Sequence, residues 1–283
     1  MPNSPSATIS LIGSGVMGEA IIAGLLRNGV TLPEFILASG PRQDRGDELV
    51  KCYGIQVSTD NVQAARPADV VILAVKPQKL QRVMAGLKNQ LRPTALVVSI
   101  VAGASIQTLM DGLAHANVVR VMPNTPAQIG EGISVWTASP STSPEQVEMA
   151  RKILGALGQE IYVEEEIYLD MATALSGTGP AYVFLFMEAL IDAGVHLGFP
   201  RRIAEKLVVE TIHGTLDYYT SRKLHPAALR NEVTSPGGTS AAALYYLDKA
   251  GFRTAISRAI WAAYERSQEL GKGKGEGQSP EKD

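Results

Sequence analysis

The pattern of apolar and polar positions divides the chain into two halves. In the first half, short apolar runs that are typical of buried parallel strands alternate with longer segments that are typical of helices. This alternation predicts an α/β fold with a doubly wound, mostly parallel sheet. The predicted strands span residues 8–12, 35–38, 70–75, 96–101, 118–121, 133–136 and 160–163, and the predicted helices include 78–91 and 144–157.

The second half, from about residue 166 onward, shows no strand pattern. Apolar residues recur there at helical spacing, and a small-residue break over 175–180 opens the first long helix. These helices carry so many small and apolar residues that we expect a second subunit to interleave with them, with a monomeric helical cap over the sheet as the alternative. The predicted helices span residues 181–197, 201–219, 226–233, 241–249 and 252–270.

The sequence thus predicts an N-terminal doubly wound sheet followed by an all-α C-terminal dimerisation domain. We place the sheet domain at residues 1–165 and the helical domain at residues 166–271. The remaining residues, 272–283, lack apolar side chains and are predicted to form a disordered tail.

Composition narrows the classes of protein that fit. Hydrophobic residues make up 45% and charged residues 19% of the 283 residues, as in soluble globular proteins. The net charge of −2 gives no reason to expect nucleic acid or an anionic membrane as a partner. The N-terminal residues lack the pattern of a signal peptide, and no uninterrupted apolar run reaches the roughly 20 residues that span a bilayer.

Cysteine and histidine usage sets two further limits. Cys52 is the only cysteine, so an intrachain disulfide is impossible and a reducing, cytoplasmic location fits. The four histidines are scattered along the chain without the spacing of metal ligands, so we predict no metal site.

A glycine-rich motif follows the first predicted strand and opens a helix. In this position a G-x-G-x-x-G motif is a fingerprint of dinucleotide binding. The first glycine allows a tight turn, the second lets a pyrophosphate approach the backbone, and the third lets helix and strand pack closely. A strand–helix turn that binds nothing is the alternative. The motif consists of Gly13, Ser14, Gly15, Val16, Met17 and Gly18.

The end of the second predicted strand bears on the choice between NAD and NADP. NAD-binding folds usually present an Asp or Glu at this point, where it binds the ribose hydroxyls. In this chain the acid is missing, and Ser39 and Arg42 stand in its place with Arg45 close behind. A serine and an arginine suit a 2′-phosphate, so the sequence favours NADP, with NADPH preferred over NADH. The alternative is that both arginines only solvate a surface loop.

Three further segments lie at the carboxyl ends of predicted strands, where doubly wound sheets bind their ligands. The strand over 70–75 leads into a Lys-Pro step, and its lysine either approaches a phosphate or is solvated. The strand over 96–101 is followed by small residues that leave room for a nicotinamide ring, and the strand over 118–121 leads into a rigid rim between two prolines. The cofactor residues expected here are Ala74, Val75, Lys76, Pro77, Ala102, Gly103 and Asn124.

A Ser-Pro-Gly-Gly loop precedes the helix predicted over 241–249. Its proline fixes φ, and Gly237 and Gly238 remove β-carbons, so that a ligand can approach the backbone. Either Thr239 or Ser240 is placed to cap the helix. Free N–H groups at such a helix start attract an anion, most simply a small carboxylate. An ordinary capped loop between two helices is the alternative.

These segments together resemble one family. The first half resembles the Rossmann group of NAD(P)-dependent oxidoreductases. The loop and helix over 229–248 are similar to the characteristic segment of the Δ1-pyrroline-5-carboxylate reductases, and the resemblance covers about residues 8–270. Four other segments agree with that family in order and spacing, namely 13–18, 74–77, 122–126 and 175–182.

The resemblance implies the last step of proline biosynthesis, in which NADPH or NADH gives a hydride to C5 of a cyclic imine and yields L-proline. The Ser-Pro-Gly-Gly loop is then implied to bind the substrate carboxylate. The Ser240 hydroxyl is implied to bond the ring nitrogen, although many relatives have threonine at this position. Asn61 is implied to lie at the adenosine ribose or phosphates. The implied substrate-binding residues are Ser235, Gly237, Gly238, Thr239, Ser240 and Glu166, with Thr239 and Ser240 as the implied catalytic residues.

The resemblance also implies an assembly and a simple chemistry. In this family the chains form an interlocked homodimer, often assembled further into a decamer, and the substrate pocket forms between subunits. A protonated C=N bond accepts hydride readily, so the enzyme needs to position the reactants and favour the cationic imine rather than supply a buried acid–base pair.

Two alternatives from other classes stay open at the level of sequence. A β-hydroxyacid dehydrogenase or a related imine reductase shares the two-domain plan but normally presents a catalytic lysine or aspartate in its helical half. Lys206 is the mid-helix lysine of the segment 201–219, and we interpret it as part of a solvated face. An NADP-binding protein without catalytic activity, which senses redox state or scaffolds partners, would keep the glycine motif but would not need the Ser-Pro-Gly-Gly loop.

Overall fold

The computed structural model describes residues 7–271, and its first half contains one eight-stranded sheet. The strand order is β3-β2-β1-β4-β5-β6-β7-β8, and all neighbouring pairs are parallel except β6 and β7. The strands are β1 (Ile9–Ile12), β2 (Ile36–Ser39), β3 (Gln56–Ser58), β4 (Val70–Leu73), β5 (Leu96–Ser99), β6 (Val118–Met122), β7 (Gly132–Ala138) and β8 (Gly158–Tyr162).

Helices connect these strands and cover both faces of the sheet. Because successive side chains of a strand point to opposite faces, the buried apolar residues form two clusters. Leu11 and Ile72 belong to one cluster, and Ile12 and Leu73 belong to the other. The prediction of a doubly wound, mostly parallel sheet is confirmed. The helices are α1 (Val16–Arg27), α2 (Gln43–Tyr53), α3 (Asn61–Ala65), α4 (Pro77–Leu87), α5 (Ile106–Leu113) and α6 (Pro144–Gly155), with 3₁₀ turns at Pro33–Phe35 and Thr125–Ile129.

The remainder of the chain is helical, as predicted. Its helices are α7 (Ile167–Ala172), α8 (Gly179–His196), α9 (Arg201–Arg222), α10 (Pro226–Glu232), α11 (Thr239–Lys249) and α12 (Phe252–Gly271), with a π-helical turn at Thr173–Gly177 between α7 and α8.

The chain divides into two compact units. Residues up to Thr178, together with residues from Ala263 onward, form the first unit, and Gly179–Ala262 form the second. The C-terminal part of α12 thus belongs to the same unit as the sheet. The predicted domain boundary between residues 165 and 166 stays a prediction, and the predicted tail over 272–283 lies outside the described residues.

Three local expectations differ from the structure. Strand β3 was not predicted, because it has only three residues, none of them fully buried, and lacks an apolar run. The break predicted over 175–180 is reduced to one non-helical residue, Thr178, because a π-helical turn continues to Gly177 and Thr178 N donates to Thr173 O at 2.8 Å. Helix α11 begins at Thr239, two residues earlier than predicted.

Among residues 7–271, one helical stretch, Ile167–His196, is long and apolar enough to cross a membrane by length and composition alone. The predicted break divides this stretch, so no such run was expected from the sequence. One helix of this kind is weak support for a membrane span, because a soluble protein also exposes an apolar helix where a second subunit covers it.

Candidate active site

The glycine motif lies where the strand order of the sheet reverses, between β1 and β4. Gly13 N donates to Ser39 O at 2.8 Å, and Ala74 N donates to Ile12 O at 2.8 Å, so the carboxyl ends of β1, β2 and β4 meet at this point. In doubly wound sheets this crevice is where ligands bind. The structure therefore brings together the predicted cofactor residues at the ends of these three strands.

Gly13 and Gly18 are required for packing. Gly13 has a φ of +115°, and a β-carbon on it would lie 2.5 Å from Ala74 O. A β-carbon on Gly18 would lie 2.2 Å from Gly13 O. These two glycines let α1 approach the ends of β1 and β4, as the motif predicts.

Gly15 has a different environment. It is exposed, and a β-carbon on it would meet no protein atom within 4 Å. It is also the N-cap residue of α1, where no side chain caps the helix. Uncapped N–H groups beside open space fit a pyrophosphate, which binds at such helix starts. Val16 is exposed at this helix start, whereas Met17 packs its side chain against the core.

Ser39 and Asn61 form a pair at the end of β2. Ser39 is fully buried, and its Oγ donates to Asn61 Oδ1 at 2.6 Å. Asn61 is the first residue of α3, which is capped by Asp60 through bonds from Val62 N and Gln63 N. The buried Ser39 hydroxyl thus orients the Asn61 amide, and this contact was not predicted from the sequence.

The two arginines after β2 have different surroundings. Arg42 is exposed, and its guanidinium lies 4.0 Å from Asp44. Arg45 is mostly buried, and its guanidinium bonds Glu19, Glu48 and the Ser14 carbonyl oxygen. Bonds to Glu48 and Glu19 raise the pKa of Arg45 above its ordinary value. The alternative that both arginines only solvate a loop is therefore wrong for Arg45. A crevice beside them is lined by Ser14, Gly40, Arg42, Gln43, Ser58 and Thr59.

The segment after β4 closes the other side of the glycine motif. Ala74 and Val75 are half-buried beside Gly13, whereas Lys76 and Pro77 are exposed. Lys76 is the N-cap residue of α4, and Pro77 is its first residue.

The loop after β5 packs against the end of α12. Gly103 is buried with a φ of +75°, and a β-carbon on it would lie 2.9 Å from Gly271 N and 3.0 Å from the carbonyl carbon of Leu270. The small size of Gly103 thus serves the approach of α12, which the sequence analysis did not foresee. Ala102 is half-buried in the same loop.

After β6, Asn124 is also half-buried, and its Oδ1 accepts a hydrogen bond from Ile133 N at 2.9 Å. This bond fixes the Asn124 side chain at the carboxyl end of β6, where the sequence predicts a polar rim.

An ion-pair network surrounds the buried Arg120, and it was not predicted from the sequence. Arg120 of β6 is buried, and its Nη1 and Nη2 lie 2.8 Å from Glu166 Oε1 and 2.8 Å from Asp170 Oδ1. Glu166 Oε1 also accepts a bond from Ile106 N at 2.8 Å, and Asp170 Oδ1 accepts one from Ser267 Oγ at 3.1 Å. An arginine within an otherwise apolar strand was the available signal, since a buried charge needs a partner.

Glu166 was expected near the substrate, and that role stays a prediction. Its carboxylate joins the start of α5 to β6 through Ile106 and Arg120. Any contact with a ligand would use the remaining acceptor capacity of this carboxylate.

The Ser-Pro-Gly-Gly loop belongs to the second unit. Gly237 has a φ of +70°, Gly238 N donates to Ser235 O at 3.0 Å, and a β-carbon on Gly238 would lie 2.5 Å from Ser235 Oγ. Gly238 is the N-cap residue of α11, and no side chain caps this helix. The expectation that Thr239 or Ser240 caps it is wrong, because both lie inside the first helical turn.

This geometry leaves the start of α11 without a side-chain cap. Ser235 and Thr239 are exposed, and Ser240 is half-buried. Uncapped helical N–H groups surrounded by hydroxyls can bind a small anion such as a carboxylate. Within residues 7–271, no group of three or more His, Cys, Asp or Glu side chains is arranged to hold a metal ion.

Two protein-family models match the chain. Residues 166–270 match the family described as pyrroline-5-carboxylate reductase dimerisation, and residues 8–103 match the family described as NADP oxidoreductase, coenzyme F420-dependent. The chain therefore contains an oligomerisation region and an oxidoreductase region for a nicotinamide cofactor.

Relatives cover almost the whole chain. A pyrroline-5-carboxylate reductase of Synechocystis sp. is 46% identical over 268 residues, which are 94% of this chain and 99% of the relative. The pyrroline-5-carboxylate reductase of Escherichia coli (strain K12) is 35% identical over 265 residues, which are 93% of this chain and 98% of the relative.

Solved structures agree with these relatives. The crystal structure of a Plasmodium falciparum pyrroline carboxylate reductase with NADP bound has a TM-score of 0.87 at 31% identity, covering 95% of this chain and 100% of that chain. A pyrroline-5-carboxylate reductase from Coxiella burnetii has a TM-score of 0.85 at 36% identity, covering 94% of this chain and 98% of that chain.

The two alternatives are not favoured by these findings. Lys206, the lysine considered for a β-hydroxyacid dehydrogenase, is exposed on α9. The relatives are named as reductases, so a binding protein without activity is not favoured either. The chain belongs to the pyrroline-5-carboxylate reductase family of NAD(P)H-dependent oxidoreductases.

Proposed function

We propose that this chain reduces the C=N bond of Δ1-pyrroline-5-carboxylate with NADPH and releases L-proline, in the cytoplasm. The observation that carries this proposal is the uncapped start of α11 behind the Ser-Pro-Gly-Gly loop. A cofactor fold alone is common to many dehydrogenases, whereas this loop offers a site for the carboxylate of a small cyclic substrate.

In this proposal the cofactor residues belong to the region before residue 166. The N–H groups at Gly15 and the start of α1 hold the pyrophosphate. Asn61, oriented by Ser39, binds the adenosine ribose or its phosphate, and the segment Ala74 to Pro77 borders the crevice. Ala102 and Asn124 border the nicotinamide end.

The substrate residues belong to the helical region, 166–271. The first N–H groups of α11, with the hydroxyls of Ser235 and Thr239, bind the carboxylate. The Ser240 hydroxyl bonds the ring nitrogen. When bound, NADPH would supply the hydride to C5. Because the ring nitrogen already carries a proton, hydride addition converts the cationic iminium into a neutral secondary amine without a further proton donor.

Preference for NADPH rests on charge at the end of β2. No carboxylate follows Ser39 at the position where NAD-binding folds bind the ribose hydroxyls. The exposed guanidinium of Arg42 lines the crevice beside Ser14 and Gly40, where it can attract a 2′-phosphate.

The proposed partner of the helical region is a second copy of the chain. Among residues 179–262, only Ala204 and Leu229 are buried hydrophobic residues. Phe184, Leu185 and Trp261 are 63%, 66% and 63% exposed. Exposed apolar side chains in this number favour a covering partner, and we propose a homodimer with interlocked helices, which could assemble further into a decamer and would cover them without a membrane.

The direct test is oxidation of NADPH by the purified protein with and without Δ1-pyrroline-5-carboxylate, repeated with NADH. We expect substrate-dependent oxidation that forms proline and is faster with NADPH at equal, low cofactor concentration. Ser240→Ala should lower kcat, whereas Ser257→Ala on α12 should not. Cofactor binding without turnover would contradict the substrate assignment, and faster turnover with NADH would contradict the cofactor preference.

A further inference from the structure

Arg45 makes contacts that a phosphate-binding arginine would not need. Its side chain is only 18% exposed, although α2 lies on the surface. Nε donates to the carbonyl oxygen of Ser14 at 3.1 Å, Nη1 donates to Glu48 Oε2 at 2.8 Å, and Nη2 pairs with Glu19 Oε2. One side chain of α2 therefore binds both the glycine-rich turn and the first turn of α1.

The contact with Ser14 fixes a peptide plane of the glycine-rich turn. In a trans peptide the C=O and the following N–H point in opposite directions. When Arg45 holds the Ser14 carbonyl oxygen, the N–H of Gly15 points to the other side of the turn. Gly15 is the N-cap of α1 and has open space around its α-carbon. The contact thus orients the Gly15 N–H, which can donate to a pyrophosphate. It also turns the Ser14 carbonyl oxygen, which would repel a phosphate, away from that side of the turn.

The charges around Arg45 oppose a direct contact with a 2′-phosphate. Glu19 and Glu48 both bond its guanidinium, so the cluster of one cation and two carboxylates has a net charge of −1. Glu19 is held in turn by the Tyr53 hydroxyl at 3.0 Å. Arg42, three residues earlier, is 67% exposed and lines the crevice beside the glycine-rich turn.

We propose that Arg45 is a positioning residue that holds the glycine-rich turn in its cofactor-binding conformation, and that it does not bind the 2′-phosphate. This inference rests on the proposed function only in that the turn binds a nicotinamide dinucleotide. It predicts that the loss of each of two neighbouring arginines affects a different set of cofactors. Loss of Arg45 weakens the binding of all nicotinamide dinucleotides. Loss of Arg42 weakens the binding of only those that carry a 2′-phosphate.

The test measures dissociation constants for NADPH and NADH by titration calorimetry without substrate. Arg45→Met should weaken both cofactors by the same factor, roughly tenfold or more, because a charge-assisted bond to the turn is lost. The matched control, Arg42→Met, should weaken the binding of NADPH and leave the binding of NADH unchanged. Arg45→Lys should restore little, because an ammonium lacks the planar fork that contacts three partners at once.

Glu19→Gln provides a second variant in case Arg45→Met does not fold. It keeps the shape of the side chain but removes the charge that anchors Arg45. The binding of both cofactors should therefore again weaken equally, by a smaller factor. A loss confined to NADPH in either variant would overturn the inference, and so would unchanged binding of both cofactors. Failure of the proposed reduction would appear differently, as normal cofactor binding by the unsubstituted protein without turnover of the imine.

Discussion

Gly13, Gly15 and Gly18 belong to one motif but satisfy different physical requirements. Side chains at Gly13 and Gly18 would overlap backbone carbonyl oxygens at 2.5 and 2.2 Å, whereas a β-carbon on Gly15 would meet nothing within 4 Å. Packing accounts for the first two glycines. Packing does not account for the third, for which we propose a ligand that approaches the backbone.

This difference gives a prediction at the residue scale. We expect Gly15→Ala to change the free energy of unfolding by less than about 1 kcal/mol, because its φ of −78° suits alanine. The same variant should weaken NADPH binding, because the methyl group occupies the open space. Gly18→Ala should lower the free energy of unfolding by about 2 kcal/mol or more. Urea unfolding and NADPH titration measure both effects, and unchanged NADPH affinity in Gly15→Ala would contradict the prediction.

Tyr53 carries a second prediction at this scale. Its burial, and next its bond to Glu19, raise its pKa above the ordinary value of 10.0. Since the folded state holds this proton more tightly than the unfolded state, the stabilising contribution is complete below about pH 10 and is lost as pH rises through the folded pKa. Tyr53→Phe should therefore be less sensitive to alkaline pH than the unsubstituted protein. Unfolding measured between pH 8 and about pH 11 checks this, and parallel curves for the two proteins would contradict it.

The placement of the glycine motif between β1 and α1, and of the Ser-Pro-Gly-Gly loop before α11, could be predicted from sequence because glycine and proline at these spacings mark such turns. Their side-chain partners could not. Ser39 bonds Asn61 across 22 positions, and Arg45 bonds Glu19 across 26 positions. Such pairs depend on how α1, α2 and α3 are placed on the sheet, and a single sequence does not contain that placement.

At the scale of elements, strongly apolar strands were predictable and weakly apolar ones were not. Strands β1, β4 and β5 are buried at every position, so hydrophobic runs identify them. Strand β3 contributes only Gln56, Val57 and Ser58 and is formed by pairing with β2. The π-helical turn before α8 was likewise unpredictable, because small residues that permit a break also permit a widened helical turn.

The network around Arg120 gives the prediction for this scale, because it joins β6, α5, α7 and α12. Arg120→Met should lower the free energy of unfolding by about 3 kcal/mol, since it leaves Glu166 and Asp170 without their cation. The matched control is Arg253→Met, whose exposed pair with Asp248 should contribute about 0–1 kcal/mol. Urea unfolding at pH 7 distinguishes them, and equal losses in the two variants would contradict the expectation that the network adds more stability than an exposed pair.

At the scale of the whole molecule, the exposed apolar residues of the second unit determine its behaviour in solution. An excess of small and apolar residues in this region was visible in the sequence and predicted a partner. The number of subunits was not predictable in the same way, because it depends on the shape of the covered surface rather than on its composition.

The whole-molecule prediction concerns assembly. We expect the protein to have at least the mass of a dimer in light scattering, and to unfold at a higher temperature as its concentration rises. Phe184→Glu, on the exposed face of α8, should reduce the mass or cause aggregation, because it places a charge in the covered surface. Lys79→Glu, on the exposed face of α4, should change neither. A monomer at all concentrations would contradict the proposed homodimer.

The return of residues from Ala263 onward to the first unit has a consequence for synthesis on the ribosome. Gly103 and Asp170 emerge early, but their contacts at Gly271 and Ser267 come from α12. The intervening segment Gly179–Ala262 takes roughly 4 to 17 seconds to translate at ~5–20 residues per second. During that interval the nascent sheet lacks the helix end that closes its β5 loop. We therefore expect the first unit to reach its final form only after α12 has left the exit tunnel.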